Sequence, residues 1–508
     1  MVLSLSVAFL CQPTIGSSDV VRPQSSIAWQ QSLTHRDDLD DATKRRLFQI
    51  LSTTQDFSQP QPFESLQGGA ATVRGNGNRS AFSKPSANLR GSALADFAVG
   101  NGIFKKLWTP SPSSTLASDG LGPVFNARAC QRCHLKDGRG HPPTQGKYWE
   151  NGDDAVSFVV GLSLPKESTE RLPIGRQLHD FAAPGLKREG RVVVHYTPKT
   201  VRYADGHQVT LRVPNYSVSG SHGVLSNQTV LQPRVANQVI GLGLLEAVHA
   251  GDILKRADPD DHDSDSVSGR ANWTLDRSTG SKVLGRFGWT ANQPNLRQQS
   301  AAAFSTDMGL STSLFSDPWG DCALTQVKCR ALPHGQGRFS SKTSLEPEVP
   351  DVLLDLVTFY VGNLGVPRRR NADDPTVLLG KRVFHETGCA SCHTPNYLTR
   401  DDETVRAEHR RQLIWPYTDL LLHDMGLDLA DKQIDGTAAN REWRTPPLWG
   451  IGLTKQVSGH TQFLHDGRAR SLEEAILWHG GEGEFAQQRF LRLPRAERAA
   501  LIAFLESL

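Results

Sequence analysis

Hydrophobic positions recur with a helical period in several parts of the chain. Ala499, Leu501, Ile502, Leu505 and Leu508 share one face of a 3.6-residue repeat, which predicts a helix over 495–508. Leu378 to Glu386 and Val349 to Leu364 show the same spacing, and the second run stops at Gly365. Asp37 to Leu51 predicts a further helix, and Val239 to Val248 a buried one. Between 191 and 213 the period changes. Val192-Val193-Val194-His195-Tyr196 is a β-branched run. Val201-Arg202-Tyr203 and Val209-Thr210-Leu211-Arg212-Val213 alternate about Asp205-Gly206, a hairpin signal. These residues predict a small β insertion at 191–213.

Polar stretches divide these elements. Residues 1–85 read as an N-terminal extension, rich in Gln, Ser, Gly and Asn through Gln67-Gly68-Gly69 and Gly75-Asn76-Gly77-Asn78. A first ordered unit, 86–365, begins near Leu94-Ala95-Asp96-Phe97 and includes an irregular middle from Asp258 to about Pro347. The charged, Pro-bounded run Pro367 to Pro375 is the best domain boundary, and a last unit occupies 376–508.

The chain has 508 residues, 38% hydrophobic and 21% charged, with a net charge of +3 from 56 basic and 53 acidic residues. That is an ordinary globular composition, and at roughly 150 residues per domain it suggests about three domains. The charge balance argues against a nucleic-acid protein. No apolar run reaches the ~20 residues that span a bilayer. Val2 to Cys11 resembles a short signal-peptide core but lacks a basic n-region, and a disordered start is the equal alternative. Leu10-Cys11 weakly suggests a lipid-anchoring cysteine, because a small residue is expected before it.

Seven cysteines stand at 11, 130, 133, 322, 329, 389 and 392. Cys322 and Cys329 are close enough for a local disulfide, and Cys11 is left over. This usage fits an oxidising compartment such as the periplasm. The other four lie in Cys130-Gln131-Arg132-Cys133-His134 and Cys389-Ala390-Ser391-Cys392-His393. Two thiols three residues apart on a helical turn can add to the two vinyl groups of one haem, and the next His then meets the iron as proximal ligand. From this composition one chance C-x-x-C-H is expected about 0.003 times, and two far more rarely. The alternatives are a zinc site or a redox dithiol. Zinc does not need both histidines in the same place, and a dithiol does not need the motif twice. Two covalent c-type haems are therefore expected, on Cys130, Cys133 and His134 and on Cys389, Cys392 and His393. The fold expected is mainly α: two cytochrome c-like haem domains with a small β insertion and long irregular segments.

These motifs carry a family likeness. Gly122-Pro123-Val124-Phe125-Asn126-Ala127-Arg128-Ala129-Cys130 through Asp137-Gly138-Arg139-Gly140 resembles the bacterial di-haem oxidoreductase family, the peroxidase-like or "thiol oxidoreductase" proteins. So do Gly241-Leu242-Gly243-Leu244-Leu245-Glu246-Ala247, Asp419-Leu420-Leu421-Leu422-His423-Asp424-Met425-Gly426, Arg444-Thr445-Pro446-Pro447-Leu448-Trp449-Gly450, and Phe463-Leu464-His465-Asp466-Gly467-Arg468 with Leu472-Glu473-Glu474-Ala475. The likeness covers most of the chain after about residue 90. The family is more distantly similar to the di-haem cytochrome c peroxidases and the enzyme MauG. It implies a periplasmic di-haem cytochrome without settling a substrate.

Further residues are candidates for the distal sides. Met425 is one of three methionines and lies 32 residues after His393 (425 − 393), a distance suited to the second axial ligand of a small cytochrome c domain. His/Met ligation raises the reduction potential. A gap-filling Met is the alternative, and His423 is the local rival. For the first haem His141, His179, His195, His207 and His222 are all available. Glu246, in an apolar stretch, is the candidate catalytic acid/base, since burial would raise its pKa. A Glu at a helix end or in an ion pair is as good a reading. His465 and His479 compete for supporting roles near the second haem. Trp415, Trp443 and Trp449 bracket Met425, and one between the haems would assist electron transfer, although core packing is the default for Trp. Asp261, Asp263 and Asp265 match the first slots of a calcium loop, but Ser266 replaces Gly and Asn272 replaces the final Glu; a solvated acidic loop is the alternative. The resemblance loosely implies calcium as well.

Two functions follow. As an enzyme, the protein takes electrons at the second haem from a small redox protein or quinol-linked donor and reduces a peroxide-like oxidant at the first. As an electron carrier, both irons are six-coordinate and no substrate binds. The β insertion and long middle region favour the enzyme, because a carrier needs far less chain. Dithiol chemistry is set aside, since haem would use both C-x-x-C pairs.

Overall fold

Local capping signals set many of the helix starts. The computed structural model describes residues 32–508 apart from 53, 76, 144–156, 221–224, 338–345 and 435. Contacts divide the chain after Ser52. In the first body Asp40 accepts the Thr43 N–H and opens helix α1 (Asp41–Leu51), inside the expected 37–51. The second body, Thr53–Leu508, contains α2 (Ser92–Lys105), α3 (Leu296–Met308), α4 (Asp351–Gly362), α5 (Pro375–Glu386), α6 (Leu472–Leu477), α7 (Glu484–Arg492) and α8 (Arg495–Ser507). Asp374 caps α5 ahead of Pro375, while Asn295 and Ser471 cap α3 and α6. The expected helix over Val239–Val248 is cut to one turn, Leu242–Glu246, entered through Gly241 at φ +67°.

Helix amounts to 31% and strand to 17%, so the β content exceeds one small insertion. The strands β1 (Phe158–Ser163), β2 (Gln177–Leu178), β3 (Arg191–Arg202), β4 (Gln208–Ser219), β5 (Val230–Val235) and β6 (Lys432–Gln433) form two sheets. One has the order β6-β5-β1-β2, so a strand from the last third of the chain pairs with one from the first half. The other is the hairpin β3–β4, in unbroken register from Arg191↔Ser219 to Arg202↔Gln208. It outruns the predicted 191–213 by six residues. Its tip is pinned: the Tyr203 hydroxyl donates to Glu473 at 2.7 Å and Arg498 donates to Asp205 at 2.6 Å.

One helix arrangement occurs twice. α2 meets α4 at Gly100, where a Cβ would lie 2.3 Å from the Leu356 carbonyl oxygen. One turn on, Phe104 packs against Tyr360 at 5.2 Å and against the His134 ring at 6.2 Å. α5 meets α8 at Gly380, where a Cβ would lie 1.9 Å from the Ala500 carbonyl oxygen. One turn on, Phe384 packs against Phe504 at 5.1 Å and against His393 at 6.3 Å. In each case a missing side chain lets two helices touch, and the aromatic residue four positions later reaches the C-x-x-C-H histidine.

Residues 54–90 and the Pro367–Pro375 run are built into this body. Glu64 is fully buried between Arg369 and Lys381, and the Tyr417 hydroxyl donates to it at 3.0 Å. Burial alone would raise the Glu64 carboxyl, but the two cations hold it below its ordinary range. The Gly380→Ala change is expected to lower stability by about 1–3 kcal/mol through overpacking, with Gly102→Ala, at a site in α2 open to space and without a positive φ, as the control. Both are read by thermal unfolding, and an unchanged melting temperature for Gly380→Ala would refute the close crossing.

Candidate functional site

Each C-x-x-C-H motif closes one turn of backbone. The His134 N–H donates to the Cys130 carbonyl and the His393 N–H to the Cys389 carbonyl, both at 3.0 Å. This carries each histidine back over its cysteines. Each imidazole is then aimed from behind. His134 Nδ1 donates to the Asn237 carbonyl at 2.7 Å, and His393 Nδ1 to the Tyr417 carbonyl at 3.0 Å. Tyr417 sits at φ +54°, a left-handed backbone for a bulky residue. A proton held on Nδ1 leaves the Nε2 lone pair as the donor.

Both motifs open on one cavity of ≈ 440 Å³, lined by Cys133, His134, Cys389, Cys392 and His393 among others. Burial pushes the Cys130 thiol up to about 12 and the Cys389 thiol to about 11. Thiols so far from ionisation are poor dithiol nucleophiles at neutral pH. Among the described residues no cluster of three converging metal-ligand atoms includes a cysteine, which disfavours zinc. Cys322 and Cys329 form the expected local disulfide.

Around the second motif, Met425 and His479 come together. Both line the cavity, and a Cβ on Gly483 would lie 3.1 Å from His479 Cβ and 3.3 Å from Met425 Cε. His479 Nδ1 donates to the Ala475 carbonyl at 2.8 Å, so it too keeps Nε2 free for another partner. His423 differs. Its Nε2 meets Asp419 at 2.8 Å and its Nδ1 meets Glu482 at 2.6 Å. Burial would lower its pKa, but the two carboxylates hold it far above the ordinary range. It is an ion-paired imidazolium and offers no lone pair, so the structure removes it as a rival ligand.

His465 also lines the cavity. Its ring stacks on Trp443 at 3.8 Å and 7°, and its buried Nε2 has no hydrogen-bond partner among the described residues. Trp443 is thus the member of the expected tryptophan group that reaches the cavity. Trp415 and Trp449 are core residues that do not line it, while Trp289, unremarked in the sequence, does. Two arginines that sequence reasoning left unassigned, Arg139 and Arg444, line the cavity as well. Each stands inside a motif of the family likeness, but a lone Arg in a sequence reads as a surface charge.

Glu246 is not among the cavity residues. Burial raises its pKa as expected, but its carboxylate accepts the Leu296 N–H at 2.7 Å and so serves the first turn of α3. The half-buried Glu246 thus stands at the end of its own helical turn with its carboxylate on the start of α3. His195 is exposed, and His207 is an exposed residue of the hairpin turn. His141 lies edge-on to His460. His222 and Cys11 fall outside the described residues. In the acidic loop Asp258, Asp261 and Asp263 bring oxygens within 4.8 Å of one another. Asp258 stands in this trio where Asp265 was expected. Asp258 is itself paired with His262.

The chain belongs to the di-haem oxidoreductase family: the family model described as "Di-haem oxidoreductase, putative peroxidase" matches residues 64–164 and 176–508. Haem is the cofactor that this family implies. No curated protein matches the chain. A solved structure of hydrazine synthase from Kuenenia stuttgartiensis is 17% identical, with 47% of this chain and 76% of that chain covered, at a TM-score of 0.22. A likeness that slight carries no argument.

His179 uses both ring nitrogens, on Glu189 at 2.6 Å and on the Thr306 carbonyl at 3.0 Å, so it is no free ligand. Burial alone would lower its pKa, but Glu189, with Asp321 nearby, raises it to about 9. A raised folded pKa stabilises the protein fully below the ordinary value of 6.5 and loses that effect as pH rises through about 9. The melting temperature should fall between those values, and the fall should be much smaller in Glu189→Gln. An equal fall in both proteins would contradict the assignment.

Proposed function

We propose that this protein is a periplasmic di-haem c-type cytochrome that accepts electrons at the second motif and reduces a peroxide-like oxidant at the first. The observation that carries the reading is the pair of backbone-anchored imidazoles, His134 and His393, both facing one cavity with Nε2 free to bind iron. The donor set fits haem: on each motif two thiols stand beside one aimed imidazole. Each S–H would add across one vinyl group, sulfur to one carbon and hydrogen to the other, leaving a neutral thioether that suits a desolvated thiol. When bound, haem supplies one-electron transfer and the reduction of peroxide to two waters with two electrons and two protons.

The remaining roles fall to the chain. His479 carries the same anchored Nδ1 as the two proximal histidines. His479, with Met425 beside it as the alternative donor, would hold the iron of the second haem together with His393. A haem held by two protein donors would suit electron entry, which would leave the first site for the oxidant. His465, a neutral imidazole held by Trp443, is placed to move a proton within the cavity. The Cys322–Cys329 disulfide supports an oxidising compartment. A small redox protein or quinol-linked donor would supply electrons. Among the described residues no helix is long and apolar enough to cross a membrane.

The test is expression with cytochrome c maturation factors, followed by mass, spectrum and peroxide turnover. Two covalent haems and peroxide consumption are expected, with His465→Gln slowing turnover by about 10²–10⁴-fold at unchanged haem content. A protein without haem mass sinks the attachment. Two low-spin haems indifferent to peroxide, oxidised or half-reduced, leave only the electron carrier. At the second haem, His479→Met should raise one reduction potential, and Met425→Leu should leave the spin state unchanged. A high-spin haem in Met425→Leu would give the axial role to Met425.

A further inference from the structure

Two cations face the cavity with no anion to answer them. Arg139 donates Nε to the Gln462 carbonyl at 2.9 Å and Nη2 to the Leu464 carbonyl. Arg444 donates Nε to the Gly288 carbonyl at 2.9 Å and Nη1 to the Thr445 carbonyl at 3.1 Å. Among the described residues, Arg139 Nη1 and Arg444 Nη2 have no hydrogen-bond partner. Carbonyl dipoles orient a guanidinium but do not neutralise it. No carboxylate of a described residue pairs with either arginine. Asp466, which acts on Arg139 from a distance, is itself taken by Arg468 at 2.9 Å and Tyr216 at 2.9 Å. Asp419, which acts on Arg444, is taken by His423. The third arginine of the lining, Arg234, contrasts: both its Nη atoms meet Asp431 at 2.7 Å.

Both cations line the one cavity, on either side of one residue: the Arg139 guanidinium lies over the Trp289 ring at 5.2 Å, and the backbone N–H of Arg444 donates to the Trp289 carbonyl at 2.9 Å. Burial lowers both guanidinium pKa values to about 10, which leaves them charged at neutral pH. An uncompensated buried charge is costly, and a carboxylate is the partner a guanidinium fork fits best. Each haem brings two propionate carboxylates into the same cavity.

We propose that Arg139 and Arg444 bind haem propionates, holding the rings in place and raising their reduction potentials. The proposal rests on the di-haem reading above. Both arginines are positioning residues: a charge-assisted hydrogen bond fixes the propionate edge, and a nearby cation favours ferrous over ferric iron because it opposes the extra positive charge of the oxidised ring.

The experiment is potentiometric titration of holoprotein carrying Arg139→Gln or Arg444→Gln, with resonance Raman of the propionate bending bands. In each variant the ferrous-to-ferric ratio of at least one haem should fall about tenfold at a fixed potential, about 59 mV for a one-electron couple, and that haem's bending band should move. Arg→Lys at either position should shift the potential less, and it decides the matter if the Gln protein does not fold. Potentials and bands that stay in place, in variants that keep both haems, would overturn the proposal. So would a loss of peroxide turnover at unmoved potentials, which would assign the arginines to the oxidant. Absence of haem from the wild-type protein is a separate failure, of the di-haem reading itself.

Discussion

The site depends on the direction of two imidazoles. A histidine can bind iron through Nε2 only if its ring is turned correctly and its proton sits on Nδ1, and one hydrogen bond to a rigid carbonyl secures both conditions. Asn237 supplies that carbonyl for His134 and Tyr417 for His393. Neither acceptor is rigid by itself. Tyr417 combines a left-handed backbone with a hydroxyl anchored on Glu64, which is clamped in turn by Arg369 and Lys381. The aim of the second imidazole therefore reaches back to a carboxylate more than three hundred residues earlier in the chain.

The twofold use of one helix crossing explains how both motifs come to be held alike. Close approach at Gly100 and Gly380 brings Phe104 and Phe384 against the proximal histidines. Around the cavity the polar groups separate by what answers them. His423 is held by two carboxylates and Arg234 by Asp431, so their charges are compensated within the chain. His465, Arg139 and Arg444 keep unpaired donor or acceptor capacity facing the cavity. That contrast divides groups that support the site from groups that act on what it binds.

Much of this was legible beforehand where the signal is local. The helices at 351–362, 375–386 and 495–507 follow from apolar period, helped at 375–386 by the Asp374 cap. The hairpin follows from alternation about Asp205-Gly206, although its full length does not, because residues 214–219 pair with 191–196 at the end far from that turn signal. Glu246 shows the limit. An acid among apolar residues does mean a raised pKa, but a sequence does not say whether the carboxylate turns to a cavity or to the Leu296 N–H. The extension at 1–85 shows another: Gly- and Gln-rich segments read as loop, and the burial of Glu64, Ala71 and Phe82 came from partners far along the chain.

What the sequence determined by itself is the attachment chemistry, since a thiol, a second thiol three residues on and an adjacent imidazole must share one turn of backbone wherever that turn lies. The helix caps and the Cys322–Cys329 bridge belong with it, each closed within a few residues. Only the tertiary structure decided that both motifs share one cavity, which carbonyl aims each histidine, and which charged side chains are left without a counterion. Those outcomes join residues well separated in the chain, from 24 positions for His393 and Tyr417 to 103 for His134 and Asn237, and chain spacing carries no record of which carbonyl or carboxylate packing will bring near.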